Sequence, residues 1–409
     1  MNPKAKWAVL VILSFVFLIF AGLRPWSFAQ EQVTFKPLFP VQPDHDFPEA
    51  ERTFEEIKNL ILNHYYSDSI TREALYWAAI KGMLRQISPP DNPELSKIWT
   101  PEEYERVLLS LKGTLIAIGM KSSFDQQEGS LTVTEVLPGS PAEAALKPLD
   151  RILRINSQPL KGESLRAVNA LLEGEEGTEV TLTVNRDIEV FDVIIKRRKF
   201  ETQSLIITRL TDNIALVEIK GFTSNVSRKL GAELEKLKNE GFRGLIIDFR
   251  NNLGGIFSES LRVTELFLPE NKVLLRTVQR ETGLQNYISG NKEPFTFELA
   301  VLVNSQTASS AEIVAGAFQD HQKAVIVGTR TFGKAVIEKT HKLGNDFRVK
   351  FITSAMYSPK GRTWQGKGIT PDFLVEQDEK TLAALLKMHP KKRFARDVAM
   401  ITAYKLLTR

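Results

Sequence analysis

The chain contains no cysteine in its 409 residues. That absence excludes disulfides, thiolate metal sites and a cysteine nucleophile. It also suits an oxidising compartment, where a stray thiol is a liability. Histidine is scarce: His45, His64, His321, His341 and His389 are all there are, and none stands in an H-E-x-x-H pattern. There is no G-x-S-x-G elbow and no phosphate loop, since Arg330-Thr331-Phe332-Gly333-Lys334 lacks the spaced glycines. The formal charge of +5 is small for this length, and no Arg/Lys stripe is interleaved with aromatics, so nothing points to nucleic acid. No metal or cofactor is implied.

What is present begins with an export pattern. Lys4 and Lys6 precede an apolar run from Trp7 to Leu23, followed by Arg24 and Ser27-Phe28-Ala29. A basic start, an apolar stretch and a small-x-small end describe an export signal. Two outcomes stay open: cleavage after Ala29, or retention of residues 7–23 as a single membrane anchor. Either way the remainder is expected in a periplasmic or other extracytoplasmic space. Residues 30–48 read as a linker. Residues 49–112 form a helical region, with two helices separated by Ser67-Asp68-Ser69 and a third starting at Thr100-Pro101.

Residues 113–199 form a unit of short strands. Leu115–Met120, Leu131–Val136, Asp150–Ile155 and Val180–Val184 are expected strands, and Leu165–Leu172 a helix. That order, with Gly139-Ser140-Pro141-Ala142-Glu143, Leu146-Lys147-Pro148 and Asp150, resembles the PDZ domains inside exported bacterial proteases. The resemblance places a carboxylate-binding loop at Ile118, Gly119 and Met120, whose N–H groups could hold a chain-terminal carboxylate while the peptide adds as a strand. Ala117, Ala145 and Leu149 stand where relatives commonly have glycine. A regulatory PDZ that binds ligands weakly is the alternative.

From about 200 to 376, strands and helices alternate, which predicts an α/β sheet with crossover helices. Residues 377–409 form a helical tail. The fold class is thus α+β and multidomain. Within the α/β segment, Thr307-Ala308-Ser309-Ser310-Ala311-Glu312 runs from a strand into a helix, and Thr331-Phe332-Gly333-Lys334 follows the next strand. A serine at a helix start and a lysine beyond the neighbouring strand can meet at one end of a sheet, as a nucleophile and an amine base. The bland reading is also good: Ser309-x-x-Glu312 is a capping box, and a lysine after Phe-Gly is ordinarily a solvated loop charge. Apolar Phe332, Val336 and Ile337 around Lys334 would bury the amine and favour its neutral form.

Val301-Leu302-Val303-Asn304, the Ser309 segment through Ala317, Val327-Gly328 with Thr331–Lys334, Asp248–Asn252 with Gly254-Gly255, and Gly361-Arg362, Gln365–Ile369 and Pro371-Asp372 together resemble the C-terminal processing, or tail-specific, peptidases. The resemblance covers roughly residues 50 to 376. It implies Ser309 as nucleophile and Lys334 as general base. An oxyanion hole would come from the N–H of Ser310 and one from Gly254 or Gly255, and Asp320 would lie in a supporting place. Relatives usually carry Gln four residues after the lysine, and here it is Glu338. A carboxylate beside the amine would favour the ammonium and oppose a neutral base. Leu253 and Ala335 replace a usual Pro and Gly.

These features imply an exported serine endopeptidase that cleaves proteins near their C-termini, with the PDZ unit recognising those termini and gating activity. Its partners would be protein or peptide substrates with free C-termini, together with an adaptor lipoprotein or a second copy of the chain docking on the terminal helices. The rival is a membrane-tethered PDZ scaffold with an inactive or latent protease core.

Overall fold

The computed structural model describes residues 48–89, 92 and 95–408. The apolar run 7–23 and the linker up to residue 47 lie outside the described residues. Among the described residues no helix is long and apolar enough to cross a membrane.

The first elements are a helical pair, α1 (Ala50–His64) and α2 (Arg72–Gln86), then β1 (Lys97–Trp99) and α3 (Pro101–Leu111). Caps set their starts. The Thr71 side chain accepts the Ala74 N–H, while Thr100 and Glu103 form a full capping box with Pro101 in the first turn. Phe54, Ile57, Leu60, Tyr65 and Tyr66 of the first helix and its exit remain exposed, and Lys58 is buried against Tyr76.

A small β unit follows: β2 (Thr114–Ala117), β3 (Met120–Asp125), β4 (Ser130–Val136), a 3-10 turn at Pro141–Ala144, β5 (Arg151–Ile155), β6 (Gln158–Pro159), α4 (Leu165–Leu172), β7 (Glu179–Arg186), β8 (Glu189–Lys196) and β9 (Arg198–Glu201). The expected single strand Leu115–Met120 is two strands. Gly119, at φ 87°, breaks it because a Cβ there would lie 2.0 Å from Ser140 Cβ, and the Ser140 hydroxyl donates to the Gly119 carbonyl at 3.0 Å. β3 to β8 surround a core of Leu131, Val133, Ile152, Ile155, Val168, Leu182 and their neighbours. β2 leaves this unit to pair with β9, so both ends of the unit form one short ribbon.

The α/β core holds β10 (Leu205–Arg209), β11 (Ile214–Ile219), α5 (Val226–Asn239), β12 (Gly244–Asp248), α6 (Phe257–Glu265), β13 (Val273–Gln279), β14 (Gly283–Ile288), β15 (Glu298–Val303), α7 (Ser310–Asp320), β16 (Ala324–Gly328), β17 (Val336–Lys342), β18 (Arg348–Tyr357) and β19 (Phe373–Leu374). Its main sheet runs β10-β11-β12-β15-β16-β19, parallel except for the β10 edge. β11 and β12 are buried throughout, as continuous apolar strands covered on both faces must be. One face packs under α5, α6 and α7. The other is covered from the C-terminal tail, where α8 (Glu379–Leu386) and α9 (Pro390–Phe394) lead into α10 (Val398–Leu407), whose Ala399, Met400 and Ala403 meet Leu216, Ile246, Ala300 and Leu302. The expected helical tail is broken after Phe394, where Asp397 caps a new helix by accepting the Met400 N–H at 3.2 Å. A second sheet, β1-β18-β13-β14 with β17 on β18, stands beside the core and carries the residues that follow Lys334.

Candidate active site

Parallel strands end together, so the loops after β12, β15 and β16 gather at one edge of the sheet, where ligands of open α/β sheets bind. Side chains tie the three loops. Asn304 accepts the Asn251 N–H at 3.0 Å and donates to the Asn251 side chain at 2.7 Å. The Thr307 hydroxyl donates to the Phe249 carbonyl, and the Ala308 N–H to the Asn252 carbonyl, each at 2.9 Å. Phe332 N–H reaches the Thr307 carbonyl at 2.9 Å.

Ser309 is the N-cap of α7, at φ 54° and ψ −117°. A non-glycine residue held there carries backbone strain that its surroundings must sustain. Glu312 supplies that support. Its carboxylate is fully buried and accepts four hydrogen bonds. One oxygen takes the Ser309 N–H at 2.9 Å and the Lys334 N–H at 2.8 Å; the other takes the Thr331 hydroxyl at 2.6 Å and the Gly333 N–H at 2.7 Å. A single carboxylate therefore sets the Ser309 backbone against the Gly333-Lys334 backbone. Burial pushes the Glu312 carboxyl up to about 7, against the four donors, which pull it down. The Ser309-x-x-Glu312 spacing reads as a helix cap. Its partners 19 to 22 residues away give it a second task, and the local pattern contains no signal of that.

Lys334 lies mostly buried, with 19% of its side chain exposed. The expectation that Phe332 would help enclose it is not met, since Phe332 is 54% exposed; Ala335 and Val336 are the buried neighbours. Lys334 Nζ donates to Glu338 Oε1 at 2.8 Å, and Lys350 Nζ from β18 approaches the same oxygen at 3.4 Å. The structure shows no hydrogen bond between Lys334 Nζ and Ser309 Oγ. Trp364 Nε1 holds the Lys334 carbonyl at 3.0 Å, and Gln365 holds the Ala335 N–H at 2.7 Å, which fixes the lysine's backbone from the other side.

Between the two glycines of the β12 turn the geometry distinguishes. The Gly254 N–H donates to the Asn252 side-chain oxygen at 2.8 Å, so this amide is engaged within the turn. Gly254 also packs against Ser309: a Cβ there would sit 2.9 Å from Ser309 Cβ. Gly255, at φ 142°, is the glycine amide Asn252 leaves aside, and the Ser310 hydroxyl donates to its carbonyl at 3.0 Å. Ser310 is the first residue of α7, whose N–H has no intrahelical partner and carries the helix's partial positive charge.

Asp320 is not at this site. It closes α7, eleven residues from Ser309 along the helix, or about 16 Å. There it is buried, accepts the Lys360 N–H at 2.8 Å and pairs with Arg362, anchoring the loop that carries Trp364 and Gln365. In the β unit, the carbonyl of Ile118 accepts the Ala142 N–H at 2.8 Å and that of Gly119 the Leu137 N–H at 2.9 Å, while Met120 opens β3. The loop at Ile118–Met120 is thus held from its carbonyl side.

Beneath the turn lies a buried ionic cluster that sequence reasoning missed. Arg250 spans Asp248 at 2.7 Å and Asp397 at 2.8 Å, and Arg393 reaches Glu218 at 2.9 Å and Asp248 at 3.3 Å. Burial opposes the Asp248 charge, yet Arg250 and Arg393 hold its carboxyl down at about 2. Among the described residues no cluster of His, Asp and Glu could hold a metal ion.

Comparison with known proteins agrees with this layout. Residues 213–375 match the model of peptidase family S41, and residues 108–185 that of the PDZ domain. The chain is 29% identical over 326 residues to a probable CtpA-like serine protease of Staphylococcus saprophyticus, and 30% identical over 331 residues to one of Staphylococcus aureus strain RF122. These alignments cover 79% and 80% of this chain and 65% of each relative, so the chain spans about two thirds of their length. The photosystem II D1 C-terminal processing protease superposes with a TM-score of 0.53 at 22% identity, over 85% of this chain and all of that one, and so shares the fold.

Proposed function

We propose that the chain, whose residues 213–375 match peptidase family S41 and whose residues 108–185 match the PDZ domain, is an exported serine endopeptidase acting on extended protein tails with free C-termini. The observation that carries this reading is the Glu312 carboxylate, which gathers the backbones of Ser309 and Lys334 beside the Gly254-Gly255 turn. In the proposed reaction Lys334 Nζ takes the Ser309 hydroxyl proton as Oγ attacks the scissile carbonyl. The N–H groups of Gly255 and Ser310 face the developing oxyanion. The C–N bond then breaks, the leaving amine takes the proton from the Lys334 ammonium, and water attacks the acyl-serine with Lys334 again as base.

The structure holds Lys334 on Glu338 rather than on Ser309. We read this as a resting arrangement from which Lys334 must turn. A route from the PDZ domain to the site supports gating. The β2–β9 ribbon at the base of the domain adjoins Leu111 and Gly113. Ser224 N–H bonds the Leu111 carbonyl at 2.8 Å, and two residues away Phe222 N–H donates to the Gly254 carbonyl at 2.9 Å while the Phe222 carbonyl accepts the Ile256 N–H at 2.7 Å. Export rests on the basic, apolar and small-residue pattern of residues 4–29 and on the absence of cysteine. The exposed apolar side chains of α1 would suit a second copy or an adaptor.

The test is degradation of an unfolded protein with an apolar C-terminus by the full chain from pH 6 to 10, beside Ser309→Ala and Lys334→Ala. Loss of cleavage in both variants is the expected result; cleavage surviving in either removes the dyad. The grip of Glu338 on Lys334 favours one second reading, a scaffold with a latent core, and binding without cleavage at every pH would select it.

A further inference from the structure

Glu338 creates a problem that the structure itself resolves. It is 11% exposed and bonds Lys334 Nζ at 2.8 Å. If Lys334 turned to Ser309 and gave up its charge, an unpaired carboxylate would be stranded in a nearly closed site, which is strongly disfavoured. Lys350 stands on the same carboxylate oxygen at 3.4 Å, 23% exposed, with its ammonium 5.6 Å from the centre of the Trp99 ring.

We propose that Lys350 is a positioning residue for the catalytic lysine: it keeps Glu338 paired while Lys334 leaves that carboxylate for Ser309. The inference rests on the protease reading above. With both lysines charged, the trio carries a net positive charge. When Lys334 turns away as the neutral amine, Lys350 and Glu338 remain as a balanced pair, so no unpaired carboxylate is left in the nearly closed site. Without Lys350, the carboxylate would act on Lys334 alone.

Among the described residues, strands β1, β17 and β18 carry no second acid. Strand register places Glu338 and Thr340 of β17 on one sheet face with Ile352, Lys350 and Arg348 of β18 and with Lys97 and Trp99 of β1; Lys342 lies further along this face. Lys342 is paired with Asp346 in the hairpin turn at 2.6 Å, and Arg348 lies over the Tyr104 ring of α3 at 5.4 Å. Glu312 touches Lys334 through the backbone N–H. Glu338 is therefore the one carboxylate that these strands present on this face, and Lys350 is the cation of β18 that reaches it, at 3.4 Å.

The experiment compares the full chain with Lys350→Met, Lys350→Arg, Glu338→Gln and the Glu338→Gln/Lys350→Met pair. The readout is the pH dependence of kcat/KM for a fluorogenic, unstructured peptide with an apolar C-terminus. Lys350→Met is expected to move the acid limb upward by about one pH unit, a loss of about tenfold on that limb. Lys350→Arg should keep the limb near its original place, and the double variant should follow Glu338→Gln. An unmoved limb in Lys350→Met overturns the proposal, and so does an equal shift in the Glu338→Gln background.

A second arm does not need turnover. Lysines of the Ser309→Ala chain are 13C-methylated, and the Lys334 resonance is identified by its loss in Lys334→Arg. The pH at which it moves is then read with and without Lys350→Met. A rise of about one unit supports the proposal even if no chain cleaves; an unchanged midpoint overturns it. Failure of the protease reading would appear separately, as cleavage undiminished by Ser309→Ala.

Discussion

Replacing Glu312 by Gln tests how Ser309 and Lys334 are held together. Two forces compete at this carboxyl. Four donated hydrogen bonds favour the ion, while complete burial favours the neutral acid, and burial prevails far enough to raise the midpoint from 4.5 to about 7. An acid whose folded pKa is raised binds more protons folded than unfolded between those two values. Stability from this group is therefore greatest at low pH and falls as pH rises through 7. Between pH 5 and 8.5 the fall amounts to about 2.5 kcal/mol. Glutamine removes this titration. It also turns an N–H2 toward two of the four donors, at about 1–3 kcal/mol for each buried donor left unmet. The quantity to measure is the stability of the original chain minus that of Glu312→Gln, from urea unfolding at several pH values. Tryptophan fluorescence suits it, because Trp364 is buried in the core and residues 113–199 contain no tryptophan. The difference should be larger at pH 5 than at pH 8.5 by about 2.5 kcal/mol. A difference that grows with pH would show that the hydrogen bonds outweigh burial, and would refute the reasoning.

Two further substitutions probe the same edge of the sheet. Gly254→Ala, with φ 101° and a Cβ 2.9 Å from Ser309 Cβ, should cut peptide cleavage on the order of 100-fold if Ser309 is the proposed nucleophile, since displacing a reacting group by about 1 Å costs that much; near-normal turnover would show that Gly254 does not seat Ser309 for reaction. Asp397→Ala strips Arg250 of a partner at 2.8 Å and removes the α10 cap, so it should cost about 3–5 kcal/mol in urea unfolding, and a loss under about 1 kcal/mol would show that the cluster relaxes around it.

Parts of the site were legible because they are local. Ser309 and Lys334 follow consecutive parallel strands, and apolar runs such as Ile214–Ile219 and Glu298–Val303 announce those strands without ambiguity. Other parts were not. β17 and β18 are only partly buried along much of their length and their alternation is weak, so the sheet that brings Lys350 to Glu338 left little trace in the sequence. Asp320 could be placed near the end of a helix, but not about 16 Å from Ser309 with its side chain committed to Arg362.

By itself the sequence determined the order of elements, the strand-to-helix turn that bears Ser309, and the residue types available for chemistry, because hydrophobic period, caps and glycines act over a few neighbours. Only the tertiary structure decided which of those groups meet. It gave Glu312 its four donors, withdrew the Gly254 amide to Asn252, and set two lysines on one carboxylate, because hydrogen bonds and charges depend on distances that folding, not spacing along the chain, brings within reach.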